Sequence, residues 1–156
     1  MNGYWRKSRE MTEEEETMLQ LRTERLLLRL GIPMNLNGFK YLCRCCVHTV
    51  LDPTILQRIT KTVYPIVADE FNVTVGSVEI AIRRAIDAAW NEQAGIFRQR
   101  YSDLSLGHCW KKPKNTEFIS VVAWRLRYEL PGRTEYGDIL PGMMAADTSR
   151  SYRQEL

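Results

Sequence analysis

The stretch from residue 59 to residue 90, ITKTVYPIVADEFNVTVGSVEIAIRRAIDAAW, restricts what this chain can fold into more than any other. It reads as a short helix, a tight turn and a longer helix. Two helices that cross this closely leave little room inside the first, and Ala68 can supply the small residue needed there. With Ala68 at position 5 of a twenty-residue helix-turn-helix, the positions that must be apolar fall on Val67, Phe71, Val73, Val78 and Ala81, and all five are apolar. The outward positions of the second helix fall on Thr74, Val75, Gly76, Glu79, Ile80 and Arg83. Four of these six can make a polar or close backbone contact with a base edge or a phosphate, which makes double-stranded DNA the leading partner.

The second helix has the clearest period in the chain. Val78, Ala81, Ile82, Ala85, Ile86, Ala89 and Trp90 recur at steps of three and four, whereas Glu79, Ile80, Arg83, Arg84 and Asp87 fall on the opposite side. One face is for the core and the other is open for use. Gly76 lowers helix propensity in the first turn. Close approach of another backbone, DNA included, would account for it, and so would tolerance in a fraying turn.

The flanking sequence supports an all-α fold, a compact helical bundle of about six core helices plus an N-terminal helix. Thr12 and Glu15 form a capping box ahead of a helix to about Leu30, stopped by Gly31 and Pro33. Its leucines extend over more than one side, so it either packs on its own domain or joins a second chain. A helix over 35–50 follows, capped by Asn35 or Asn37, with Phe39, Leu42, Cys46, Val47 and Val50 near one face. Asp52 and Pro53 open a short helix, and Tyr64 and Pro65 open the next. A helix over 91–101 turns Ile96 and Phe97 inward. Asn115 or Thr116 caps a last helix to about Leu130, with Phe118, Val121, Val122, Trp124, Leu126 and Leu130 as apolar surface. Residues 1–30 are therefore expected as an extension with one helix, 31–130 as the domain, and 131–156 as a tail.

Charge matters by location. Of 22 basic and 19 acidic side chains, net +3, residues 31–130 hold thirteen and nine, so the basic excess lies in the segment that holds the helix-turn-helix. Lys111, Lys112 and Lys114 cluster beside Trp110. No run approaches a membrane span. The four cysteines do not form a secretory disulfide framework, so a reduced cytoplasmic setting is expected. Cys43, Cys45, Cys46 and His48 crowd into six residues of one helix and cannot easily converge on a tetrahedral ion, and His108 and Cys109 are remote in sequence, so neither metal nor cofactor is expected. With two histidines, no phosphate-cradling glycine loop and no nucleophile beside a base, no enzyme is expected either.

Four segments carry a family resemblance: GIPMNLNGFKYL at 31–42, ITKTVYPIVADEFNVT at 59–74, VEIAIRRAIDAAW at 78–90 and KPKNTEFISVVAWRLR at 112–127. Together they closely resemble the C-terminal DNA-binding (effector) domain of the sporulation initiation response regulator of endospore-forming bacteria. The resemblance implies a helical domain that uses residues 74–90 as recognition helix on short DNA boxes, with a homodimer on tandem sites and RNA polymerase among its partners. A receiver domain precedes this domain in the family, and residues 1–30 are too few to be one. Receiver control within this chain is therefore not expected.

The sequence departs from the family on the reading edge. Glu79 and Arg83 are kept, but Ile80 stands where the family has an arginine, and Ser77 where a basic residue commonly touches the backbone. An arginine fork spans both acceptors of guanine, while isoleucine offers only apolar contact to a thymine methyl, a difference of roughly 1–3 kcal/mol in discrimination. DNA binding with altered or relaxed base preference is expected. Glu79 is placed to accept from cytosine and Arg83 to pair with guanine; Thr74, Val75, Gly76 and Ser77 approach the DNA in the first turn. Thr74 serves equally as a helix cap. Arg84, Lys111, Lys112 and Lys114 are the phosphate candidates. A plain solvated helix face and an ordinary charged loop are the competing readings, and a protein-interaction or inhibitor module on a decayed scaffold is the alternative function.

Overall fold

Thr12 opens the first helix as its sequence requires. Its hydroxyl accepts from the Glu15 N–H at 3.2 Å while the Glu15 carboxylate accepts from the Thr12 N–H at 2.9 Å, closing the capping box. The computed structural model describes residues 11–129 apart from Gln93 and His108; the expected tail, Leu130 and the first ten residues lie outside the described residues. Six α-helices follow in order: α1 (Glu13–Arg29), α2 (Asn37–Leu51), α3 (Tyr64–Phe71), α4 (Val75–Glu92), α5 (Ala94–Ser105) and α6 (Asn115–Tyr128). No strand occurs among the described residues, and the fold is an all-α bundle.

α1 ends on Gly31 at φ 88°, with the Ile32 N–H reaching the Leu27 carbonyl and the Gly31 N–H the Leu28 carbonyl, both at 3.0 Å. Only a residue without a Cβ takes that conformation at no cost, so glycine sets the stop. Leu19, Thr23 and Leu27 turn into the domain core.

α2 is the helix around which the others pack. Beyond the expected Phe39, Leu42, Cys46, Val47 and Val50, it also buries Tyr41, Cys43, Cys45 and Thr49, because α1, α4 and α6 cover it on different sides. Neither Asn35 nor Asn37 caps it. The Leu36 N–H bonds the Pro33 carbonyl and Leu36 itself takes the cap position in extended backbone, so the turn made by proline moves the helix start past Asn35. At Gly38 the crossing with α4 is so close that a Cβ would lie 2.1 Å from the Ala81 carbonyl oxygen and 2.7 Å from the Ala85 Cβ. Small residues on both helices permit that approach.

Between α2 and α3 the chain forms a 3-10 segment over Pro53–Arg58, capped by Asp52, and a π turn over Ile59–Val63. Pro65 has no N–H to return to the carbonyl four residues back, and the Tyr64 N–H instead reaches the Ile59 carbonyl. On the far side of α4, Phe97, Tyr101 and Phe118 stack with centroids 5.5–6.1 Å apart, joining α5 to α6. Ile96 is exposed, contrary to its expected inward place, because Phe97 and Tyr101 fill the inward stripe of α5. On α6 the core takes Phe118, Ile119, Val122, Ala123 and Leu126, while Val121 and Trp124 are only half-buried. Arg127 is also buried, and its guanidinium donates to the Val50 carbonyl at 2.6 Å, occupying an acceptor at the end of α2.

Candidate nucleic-acid interface

α3 and α4 form the helix-turn-helix. Asn72 ends α3 in the left-handed region at φ 54°, and the Val73 N–H bonds the Ala68 carbonyl at 2.9 Å, so the turn is closed on the small residue itself. Val67 and Val78 are fully buried, while Phe71, Val73 and Ala81 are half-buried around them. The Phe71 ring packs 5.1 Å from Tyr41, and the Lys40 ammonium lies 5.3 Å from the Phe71 centroid, which fixes the end of α3 to α2. A second clamp joins α3 to the inner helices. Glu70 accepts from Arg44 at 3.1 and 3.4 Å and contacts the His48 ring at 3.0 Å, while Arg44 also donates to Gln20 of α1 at 3.0 Å.

The first turn of α4 is capped by Thr74, whose hydroxyl accepts from the Ser77 N–H at 3.0 Å and lies 2.9 Å from the Ser77 hydroxyl. Thr74, Gly76, Ser77, Ile80, Arg83 and Arg84 are exposed along the outer face; Glu79 is half-buried, and Val75 packs in part against the core. Gly76 has open space where its Cβ would be, the nearest atom being the Thr74 hydroxyl at 3.9 Å, so no contact within the chain demands glycine there. Glu79 and Arg83 form an ion pair at 3.1 Å across one turn.

The lysine loop lies against this helix. The Lys112 ammonium pairs with the Asp87 carboxylate, and the Asn115 side-chain amide donates to the Glu79 carbonyl at 2.9 Å. Asn115 therefore does not cap α6, as its position suggested. The cap falls on Lys114 without a side-chain bond, because the Asn115 amide is used on α4. A groove of about 440 Å³ results, with Glu79 and Arg83 on one wall and Lys112 and Lys114 on the other; Lys111 is exposed on the same loop but lies off the groove. Thr60 and Tyr64 also line the groove. The Tyr64 hydroxyl is buried without a well-formed hydrogen bond, and burial pushes its pKa up to about 12 against the opposing influence of the nearby Asn115 amide, so it stays a neutral phenol. Asp87, Asn115, Tyr64 and Thr60 were not distinguishable as site residues from sequence. Their signal is a tertiary one.

The clustered thiols do something else. Cys43, Cys45 and Cys46 point into the core, where burial first, then neighbouring charge, pushes the Cys43 thiol up to about 12 and the Cys46 thiol well above its usual range. They remain protonated packing groups. His48 is drawn away from them to Glu70.

An all-helical domain that presents a charged second helix of a helix-turn-helix beside a lysine loop has the architecture of a DNA-binding regulator domain. The family model described as sporulation initiation factor Spo0A C terminal matches residues 23–126, and the chain belongs to that family. It is a family of DNA-binding effector domains of sporulation regulators rather than of enzymes. The matched span begins inside α1 and ends inside α6. No helix among the described residues is long and apolar enough to cross a membrane.

Proposed function

We propose that this protein is a sequence-specific regulator of transcription whose base preference departs from that of its family. The supporting observation is the row Glu79, Ile80 and Arg83 on α4, with Ile80 and Arg83 exposed and Glu79 half-buried, beside a loop that carries three lysines. In this reading α4 enters the major groove. Arg83 pairs with guanine, Glu79 accepts from cytosine, and Ile80, 47% exposed, packs on a thymine methyl. Thr74, Val75, Gly76 and Ser77 approach the DNA through the first turn, and the absence of a side chain at 76 lets its backbone come close. Arg84, Lys111, Lys112 and Lys114 neutralise phosphates and add affinity that falls with salt. The helix-turn-helix lies within residues 31–130, with α1 packed onto that domain, and the cellular setting is the cytoplasm. Binding as a homodimer on tandem sites and contact with RNA polymerase extend the same reading.

One observation favours a second reading. A large apolar side chain at the centre of the reading edge, where an arginine would add both charge and a bidentate contact, also suits a protein partner. Selection on random duplexes, followed by salt-dependent gel shift of the selected site, separates the two. A selected box that differs from the family box at the position facing Ile80, with binding lost in Arg83→Ala, is the expected result. Full selectivity for the unmodified family box rejects the altered preference. Absence of binding at low salt gives the surface to a protein partner instead.

A further inference from the structure

The outer face of α1 carries a stripe that the core does not use. Glu14, Met18, Leu21, Arg25 and Leu28 follow one another at alternating steps of four and three, the spacing of a helix–helix seam. Met18, Leu21 and Leu28 are 52, 49 and 43% exposed, and Glu14 and Arg25 are exposed; Met11, ahead of the helix, packs in part on the core and is not part of the stripe. Leu19, Thr23 and Leu27 hold the opposite face in the core, so the stripe is presented on a fixed helix. Glu14 and Arg25 have no ion-pair partner among the described residues. Three of the five positions, 14, 18 and 21, precede residue 23, where the span matched by the family model begins.

The order of the side chains is self-complementary in one direction only. When a second α1 is laid antiparallel, centred between residues 18 and 21, Met18 of one copy meets Leu21 of the other and Glu14 meets Arg25, with Leu28 flanking the charged pair. The two-fold axis repeats each pairing. A parallel arrangement would instead place Glu14 on Glu14 and Arg25 on Arg25, setting like charges together inside the seam. We propose that the chain pairs with a second copy of itself through this antiparallel α1 seam, an isologous contact distinct from head-to-tail placement on tandem DNA sites.

The seam uses few side chains per copy, against roughly 20–30 a side in a standard interface, so the pair is expected to form reversibly at about micromolar or higher concentration. The proposal is independent of what α4 reads, and its test contains no DNA. The mass of the full chain is followed by light scattering or sedimentation over a concentration series. The wild type is expected to shift from monomer to dimer, and Met18→Asp or Leu21→Asp to remain monomeric with unchanged circular dichroism. Glu14→Arg and Arg25→Glu should each weaken the dimer about tenfold, since each replaces two attractive pairs with two repulsive ones. The double exchange should restore it. The swaps at exposed positions keep the test valid if an aspartate variant fails to fold. A wild type that stays monomeric at all concentrations overturns the proposal, including the case where residues 130–156 cover the stripe. So does a double exchange no better than either single one.

Discussion

Arg83 donates to the Glu79 carboxylate at 3.1 Å one turn back along α4, so the two side chains expected to read bases are held against each other in the free protein. Each therefore orients the other. Replacing Arg83 with Ala should cost roughly 1–3 kcal/mol on the preferred site, and Glu79→Ala should broaden the preference at Arg83's base as well as its own. A double-mutant cycle in a gel shift should show the two effects to be non-additive. Additive losses would mean that the pair does not act as a unit on DNA.

Gly38 and Gly76 should respond in opposite directions to alanine. At Gly38 the new Cβ would meet the Ala81 carbonyl and the Ala85 methyl, and α2 and α4 cannot separate without opening the core; a loss of roughly 1–3 kcal/mol or more is expected in urea unfolding. At Gly76 nothing blocks the methyl, and better helix propensity should stabilise the protein by roughly 0.5–1 kcal/mol. If Gly76→Ala is more stable but binds DNA less well, the glycine serves the DNA contact.

The Glu70 clamp should make the fold acid-sensitive. Burial alone would raise the Glu70 carboxyl, but hydrogen bonds from Arg44 and His48, aided by their charge, outweigh it and hold the pKa below the ordinary 4.5. A carboxyl that is more acidic folded than unfolded adds stability above its unfolded value and loses it as pH falls through its folded one. The wild-type Tm should therefore fall between about pH 5 and pH 3, and the corresponding slope should be shallower in Glu70→Gln. Equal slopes would show that the clamp adds nothing measurable.

The lysine loop should divide between charge and position. Lys111→Ala and Lys114→Ala should each lower the slope of log K against log salt by about 0.9 if each contacts one phosphate. Asn115→Ala should weaken binding with the slope unchanged, because Asn115 carries no charge and acts by tying the loop to the Glu79 carbonyl. A changed slope for Asn115→Ala would indicate that loop placement and charge are not separable.

Much of the fold was legible in the chain because it rests on local rules. The Thr12–Glu15 box, the stop at Gly31 and the small residue at Ala68 each specify a backbone event within a few residues. The seven apolar positions of α4 also announced themselves, since a single strong period survives whatever packs against it. Caps were less legible. Asn35, Asn37 and Asn115 all have the right side chain for the role, but a turn at Pro33 and a bond to Glu79 took precedence. Ile96 and Phe97 sit side by side, and only the aromatic stack with Tyr101 and Phe118 chose between them.

By itself, then, the sequence determined an all-α chain, the register of its helix-turn-helix and, Val75 excepted, which residues of α4 face away from the core, because helical periodicity links spacing to direction. The tertiary structure decided what those residues meet. It brought the lysine loop to α4 through Lys112 with Asp87 and Asn115 with Glu79, sent the thiols of α2 inward, and left one stripe of α1 outside. These contacts join residues far apart in the chain, and no local propensity encodes them.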